Sequence, residues 1–348
     1  MIATVADRFR VLSNGKLSGV QAASAGYKTW HWKMDEPFSS YLISVVVGEF
    51  AEVVDRYKDT PVLSYVYPDQ LEQARLSLSN TASMVAFFSR VTGTDYPFSK
   101  HAQATVRDYP GGLENTTATI LMDTVVHDRR AHLDVSSDSL VAHELAHQWF
   151  GGLLICHDWG ELWLNEGFAT FFENLWAEHD KGKDDSLYGM LSNHEKYFEA
   201  WSRGNHRPMV INRYWDPGTL FDAHVYQRGG AVLNMLRMVL GDEAFFNAIR
   251  HYVKKYRAQD VKTAQLITAI EEGTGQNLAW FFDEWVYKIG HPEFEITANY
   301  DEAAKSLKLT VKQTQKADAN SLFPPAAVYV MPVNVAITTA SGEKVHRL

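Results

Sequence analysis

The feature that most constrains the fold is a hydrophobic pattern that changes twice along the chain. The N-terminal part, including SSYLISVVVGEFAEVV, is rich in β-branched residues and predicts strands. From about residue 67 to 290, apolar residues recur every three or four positions, which predicts helices. After Pro292, alternation returns in EFEITANY and SLKLTVKQT. The 348 residues exceed what one small core needs, so we expect a multidomain α+β protein with a mainly helical centre.

The pattern changes divide the chain into three predicted units, namely residues 1–66, 67–292 and 293–348. A first helical stretch begins near residue 67, with Asp69 as its N-cap. Gly241 and Gly290 stand where helices are expected to stop. The further predicted helices cover approximately 138–151, 163–179, 222–240, 242–257, 263–273 and 277–289.

The charge and composition exclude several classes of protein. There are 33 basic and 42 acidic side chains without a Lys/Arg cluster, so we expect no nucleic-acid partner. No apolar run approaches the roughly 18 residues of a transmembrane segment. The first residues lack the pattern of a signal peptide, which favours a cytoplasmic location but leaves the compartment undetermined. The sequence also leaves the oligomeric state open.

The segment VAHELAHQWFGG carries two histidines, His143 and His147, at a helical spacing of four. Two imidazoles one turn apart can bind one metal ion. Glu144 lies off that line but within reach of a water molecule on the ion, which suits a general base better than a ligand. Histidines packed in an ordinary core are the alternative, so the metal interpretation requires a third ligand.

The segment ELWLNEGFATFFENLWAE supplies that ligand in Glu166, 19 positions after His147. A buried carboxylate among so many apolar residues costs several kcal/mol unless it is paired or binds metal. Glu173 lies on the same helix face and could accept a hydrogen bond from a ligand histidine, although it could equally be solvated. Two imidazoles and one carboxylate leave a position open for water, which predicts one catalytic Zn²⁺ per chain.

These motifs together resemble the M1 family of zinc aminopeptidases, which are gluzincins with a thermolysin-like catalytic domain. HELAHQWFGG followed by WLNEGFA resembles their zinc site. YPGGLENTTATI resembles their exopeptidase motif, with Leu113 where methionine is usual, and FDAHVYQRGGAVLNML resembles the segment with their catalytic tyrosine. The resemblance implies a thermolysin-like domain over 67–292, the end of a saddle-like β domain over 1–66 and part of a β-sandwich over 293–348. Because family members usually have longer flanking domains, a truncated form is expected.

The resemblance also implies roles for individual residues. Glu114 is expected to bind the free α-amino group of a peptide, and Tyr226 to donate a hydrogen bond to the developing oxyanion. The other substrate-binding positions of the motif are Gly111, Gly112 and Asn115. The implied function is zinc-dependent removal of the N-terminal residue from peptides, by a metal-activated water with Glu144 as general base.

Two alternatives stay open at this point. A zinc endopeptidase is compatible with the metal motif, although the GGLEN segment argues against it. A catalytically inactive fragment or binding scaffold is compatible with incomplete flanking domains.

Cys156 is interpreted as a small buried apolar residue, and Arg228 as a structural cation. Five nearby histidines receive no role: His127, His132, His157, His179 and His224.

Overall fold

The N-terminal part consists of strands, as predicted. The computed structural model describes residues 1–316 and 321–347. One three-stranded antiparallel sheet has the order β1-β4-β3, and β2 pairs with β5 in a separate ribbon. These strands are β1 (Ile2–Ala6), β2 (Arg10–Ser13), β3 (Lys16–Ala22), β4 (Tyr27–Lys33) and β5 (Val45–Gly48).

A five-stranded mixed sheet joins residues on both sides of the predicted boundary at residue 66. Its order is β6-β7-β8-β10-β9, and its short edge strand is β9. Strand β8 is buried on both faces, including its polar residues His101, Gln103 and Thr105, and it lies within the stretch that was predicted to be mainly helical. The strands are β6 (Ala51–Tyr57), β7 (Thr60–Val66), β8 (His101–Val106), β9 (Gly112–Leu113) and β10 (Thr119–Met122).

Nine α-helices in the described residues account for most of the central part. They are α1 (Leu71–Ser77), α2 (Thr81–Thr92), α3 (Asp138–Ala146), α4 (Trp163–Asp180), α5 (Lys183–Ser202), α6 (Gly229–Leu240), α7 (Asp242–Lys255), α8 (Thr263–Thr274) and α9 (Ala279–Trp285). Two short strands lie in connections between these helices and pair with each other in parallel. They are β11 (Ile155–Cys156) and β12 (Asp260–Val261).

Four helix predictions need correction. Helix α5 was not predicted, because it buries few residues and shows a weak apolar face. Asp69 is not an N-cap but lies inside a 3₁₀ turn before α1. Helix α3 ends at Ala146 and not near residue 151. The segment predicted as one helix over 222–240 begins instead with a π-helical turn, His224–Arg228, that leads into α6.

Helix α4 forms the centre of the core and is buried almost all round over its first fourteen residues. Phe168 of this helix stacks on Phe150 with ring centroids 4.3 Å apart. Gly167 allows α4 to approach the start of α6, because a Cβ there would lie 3.0 Å from the Gly229 Cα. This close approach brings the π-helical turn next to the first turn of α4.

The C-terminal part consists of two antiparallel hairpins, which match the predicted return of strands. They are β13 (Phe294–Asp301) with β14 (Ser306–Gln313), and β15 (Asn334–Thr339) with β16 (Gly342–Arg347). Each hairpin forms its own two-stranded sheet. In the described part of the chain, no helix combines the length and apolar character that crossing a membrane requires.

Candidate active site

Helix α3 and the residue that follows it bring the two predicted ligand histidines together. Although α3 ends at Ala146, its C-cap His147 keeps helical dihedral angles, with φ −59° and ψ −20°. The spacing of four residues therefore still corresponds to one helical turn. The imidazole centroids of His143 and His147 lie 5.0 Å apart.

Glu166, in the first turn of α4, completes a set of three donors. Its Oε2 lies 3.3 Å from His143 Nε2 and 3.2 Å from His147 Nε2. All three donor atoms lie within 4.8 Å of one another. Donors held 2.0–2.1 Å from a tetrahedral zinc ion lie roughly 3.3 Å apart. The residues present therefore fit a zinc ion, and in the described residues they are the one His/Cys/Asp/Glu group of this kind.

The other imidazole nitrogens of both histidines have oxygen neighbours. His147 Nδ1 lies 3.0 Å from the Phe150 carbonyl oxygen. His143 Nδ1 lies 3.5 Å from Glu173 Oε2, and the second oxygen of Glu173 accepts a hydrogen bond from Ser139. Such contacts orient an imidazole and leave its Nε2 lone pair for a metal ion. Glu173 thus lies within reach of a ligand histidine, and its supporting role stays a prediction.

Among the three donors, the Glu166 carboxylate supplies the negative charge that attracts a cation. Burial disfavours the ionised form of Glu166, but the two imidazoles outweigh burial and lower the pKa of its carboxyl group. Burial likewise opposes protonation of His147, yet the same carboxylate raises its pKa to about 9. The buried Glu166 carboxylate thus stays ionised. Its charge can be balanced by protonated imidazoles or, in place of those protons, by a metal ion.

Glu144 projects from α3 towards the edge strand β9. Its side chain is buried, and burial raises its pKa to about 7, which suits proton transfer near neutral pH. A Cβ added to Gly112 would lie 2.2 Å from Glu144 Oε1. The Glu144 carboxylate thus occupies the space that a side chain at position 112 would fill, and a larger residue there would displace it. The preceding Gly111 has φ +83°, a conformation that favours glycine.

Glu114 follows β9 and is buried, with 7% exposure. Tyr41 donates a hydrogen bond from its hydroxyl to Glu114 Oε1 at 3.2 Å. We did not predict this contact, because Tyr41 lies 73 residues earlier in the chain and no local pattern marks it. Asn115 does not reach the cleft but donates from Nδ2 to the Leu42 carbonyl oxygen at 3.2 Å. Its predicted substrate-binding role stays a prediction.

Tyr226 lies on the π-helical turn before α6. Its ring stacks on the His143 imidazole, with centroids 5.8 Å apart and planes 20° apart. Burial raises the pKa of the Tyr226 phenol, and the nearby negative charges of Glu166 and Glu114 raise it further. The phenol therefore stays protonated and can donate a hydrogen bond. π-helical turns occur frequently at functional sites because they redirect a side chain out of the helical register.

One cleft of about 440 Å³ collects these groups. It also exposes residues that we did not predict, including Asn193 and Lys196 on α5, the helix that the sequence pattern did not indicate. Of the histidines without a predicted role, His127 and His132 contact each other, and His224 lies against Asp222. The predicted site residues that line the cleft are Gly111, Gly112, Glu114, His143, Glu144, His147, Glu166, Glu173 and Tyr226.

Comparison with known proteins places this arrangement in a family. Aminopeptidase M1-A of Oryza sativa subsp. japonica is 30% identical over 314 residues, which cover 88% of this chain and 35% of the relative. Aminopeptidase 2, mitochondrial, of Saccharomyces cerevisiae is 26% identical, covering 91% of this chain and 34% of the relative. Glutamyl aminopeptidase of Rattus norvegicus is 26% identical, covering 92% and 34%.

The chain thus spans about a third of the length of the curated relatives it matches. The family model for the peptidase family M1 domain matches residues 76–285, which lie inside the predicted unit 67–292 and contain every predicted metal, catalytic and substrate-binding residue. With its family model matched over more than half of its length, the chain belongs to peptidase family M1.

Proposed function

We propose that this chain is a zinc-dependent aminopeptidase that removes the N-terminal residue from peptides. The observation that carries the proposal is the convergence of three kinds of group on one cleft. A metal-donor triad, a buried carboxylate at its side and a second carboxylate on the edge-strand loop all line the same space. The names of the relatives, all aminopeptidases, support the same reaction.

His143, His147 and Glu166 would hold the zinc ion. Bound zinc in such a set polarises the scissile carbonyl and acidifies the attacking water. Glu144 takes the proton of that water through its carboxylate and passes it to the leaving amine, which is a task for a group with a pKa near 7. Gly112 leaves the space in which this carboxylate lies.

Tyr226 donates a hydrogen bond from its phenolic hydroxyl to the oxyanion that develops on the scissile carbonyl. Glu114 pairs with the ammonium group of the substrate, and this pairing places the first peptide bond at a fixed distance from the metal donors. Tyr41 holds one carboxylate oxygen of Glu114, which leaves the other oxygen for the ammonium group. One amino acid is released in each turnover.

The proposal is tested by measuring metal content together with hydrolysis of aminoacyl-p-nitroanilides and their N-acetyl counterparts. We expect one zinc per chain and cleavage of the free-amine substrates alone. Equal cleavage of the acetylated set would indicate an endopeptidase. Zinc without cleavage of either set would indicate a formed metal site in an inactive scaffold, and a protein that binds no zinc would contradict the proposal.

The anchoring role of Glu114 has its own test in Glu114→Ala. Because the lost ion pair exists only with a free amine, we expect kcat/KM for free-amine substrates to fall by on the order of 10²-fold. Residual hydrolysis of N-acetyl substrates should stay constant, as should the zinc content. An equal loss on both substrate sets would contradict anchoring by this carboxylate.

A further inference from the structure

One buried side chain, that of Gln148, joins the metal-binding residues to the loop that carries Glu114. Gln148 directly follows His147, and none of it is exposed. Its Nε2 donates to the Glu114 carbonyl oxygen at 3.2 Å, and its Oε1 accepts from the Thr117 backbone N–H at 2.9 Å. We propose that Gln148 is a positioning residue that sets the distance from Glu114 to the metal donors and thereby the preference for a free N-terminus. This inference rests on the proposed function.

The neighbours of Gln148 fix the orientation of its amide. Oε1 accepts a second hydrogen bond, from the hydroxyl of the buried Tyr96, at 3.1 Å. A reversed amide would place its NH₂ group against the Thr117 N–H and its oxygen against the Glu114 carbonyl oxygen. Only one orientation therefore satisfies all three contacts, and in it the side chain bridges the segment directly after helix α3 and the loop.

Thr117, the second contact of Gln148, is held in an unusual conformation. Its φ is +64°, in the left-handed region that a β-branched residue rarely adopts. The Thr117 hydroxyl accepts a hydrogen bond from the Gly15 N–H at 2.7 Å, and its carbonyl accepts one from the Ala102 N–H at 3.1 Å. Strained backbone conformations of this kind persist where many surrounding contacts hold them, and they are frequent at active sites. Tertiary contacts, and not local sequence, hold the loop after Glu114.

Lys100 provides the third attachment of the loop. Its side chain is 4% exposed, and its Nζ donates to the Thr117 carbonyl oxygen at 2.7 Å and the Ser13 carbonyl oxygen at 3.0 Å. Burial lowers the pKa of the Lys100 amino group well below its usual value. A buried amino group that donates to two carbonyl oxygens fixes the backbone to which it binds.

The three attachments differ in what they connect. Lys100 and Gly15 connect the loop to residues next to the strands, whereas the Gln148 side chain connects it by hydrogen bonds to the position directly after the metal donor His147. An exopeptidase must keep its amine anchor one residue from the reacting carbonyl, and an error of about 1 Å can cost on the order of 10²-fold. The Gln148 bridge is therefore the contact that controls the relevant distance.

The experiment compares three variants of the zinc-loaded full chain. Gln148→Met removes all three hydrogen bonds at nearly constant volume, and Gln148→Asn keeps an amide that is one methylene too short to make the bridge. Gln103→Met is the matched control, because Gln103 is also buried and donates to Ser64 and Thr81 away from the loop. For each variant we would measure zinc content, hydrogen exchange over residues 111–117, and kcat/KM for alanyl-p-nitroanilide and its N-acetyl form.

We expect both Gln148 variants to retain zinc and to exchange the loop amides faster than wild type. Their kcat/KM for the free-amine substrate should fall by on the order of 10- to 100-fold, with residual N-acetyl hydrolysis within about threefold. Gln103→Met should lose stability but keep both the exchange rates and the substrate ratio. Unchanged loop exchange, loss of zinc, or an equal fall on both substrates would overturn the positioning role. Wild-type enzyme without a preference for the free amine would instead overturn the proposed function, while the exchange measurement would still test the bridge.

Discussion

Two cavities of nearly equal size lie on either side of the same π-helical turn. The cleft with the metal donors has a volume of about 440 Å³, and a cavity between α5, α6 and α9 has about 410 Å³. Tyr226 lines the first, and Arg228, two residues later, lines the second. The two cavities therefore cannot be told apart by volume. They differ in their ionisable groups, because the cleft combines two imidazoles with several carboxylates and the second cavity has no carboxylate among the described residues that line it.

The second cavity has walls of a different character. Aromatic and methionine side chains such as Tyr197, Phe198 and Met235 surround it. Its cation, Arg228, is 4% exposed and donates to neutral oxygens, namely Gly290 O at 2.6 Å and Trp285 O at 3.2 Å. These contacts join the π-helical turn to the end of α9 and agree with the structural role predicted for Arg228. A buried charge alone therefore does not indicate chemistry.

The largest expected effect is that of Glu144→Gln in the cleft. The substitution preserves shape and cavity volume but removes the base, so kcat should fall by on the order of 10²–10⁴-fold. Zinc content should stay at the wild-type level. The control is Glu161→Gln, a buried glutamate that accepts hydrogen bonds from Thr263 and lines neither cavity. Turnover by the Glu144→Gln enzyme comparable to that of the control would remove Glu144 as the base.

A second comparison uses the same substitution on each side of the turn. Tyr226→Phe should lower kcat by on the order of 10²-fold, because one oxyanion donor is lost. Tyr197→Phe removes a hydroxyl that accepts from Arg228 at 2.8 Å, and should cost about 1 kcal/mol of stability with little change in kcat. Both quantities are obtained from steady-state kinetics and denaturant unfolding. Equal kcat values for the two variants would end the assignment of Tyr226.

The cleft was more predictable from the sequence than the apolar cavity. Ligand spacing is local on α3, and the apolar surroundings of Glu166 marked it as a buried carboxylate. Tyr41 escaped prediction, since its contact with Glu114 spans 73 residues and depends on the packing of separate sheets. Gln148 lay inside the motif, yet two of its three partners are backbone atoms that no residue pattern specifies, and the third, Tyr96, lies 52 residues earlier in the chain.

The fold was predicted where a single periodicity dominates. Helix α4 spans Trp163–Asp180 against a prediction of 163–179. Strand β8 was not predicted, although polar and apolar residues alternate in HAQATV, because the strand is short and its two alanines are not typical of strands. Helix α5 was missed because most of its surface is exposed and its apolar face is narrow. The boundary at residue 66 stays a prediction, although one sheet crosses it.

Gly112→Ala tests how closely the edge strand and the base fit together. The added Cβ would lie 2.2 Å from Glu144 Oε1, so the carboxylate or the strand must move. We expect kcat to fall by on the order of 10-fold or more, because a small displacement of the base misaligns proton transfer. Gly19→Ala is the control, since a Cβ there has no neighbour within 4 Å. A Gly112→Ala enzyme with wild-type kcat would contradict the expectation that proton transfer depends on the exact position of the Glu144 carboxylate.

The smallest catalytic effect is expected from Arg228→Met in the apolar cavity. Loss of the guanidinium removes its hydrogen bonds to the carbonyl oxygens of Gly290 and Trp285, which should lower the free energy of unfolding by about 2–4 kcal/mol. The kcat of the folded enzyme should stay within about threefold, because the methionine fills an apolar space and touches no substrate group. Denaturant unfolding and kinetics at a temperature well below the midpoint separate the two effects. A fall in kcat as large as that of Tyr226→Phe would mean that the turn couples the cavities, so that the second contributes to catalysis by holding the tyrosine in place.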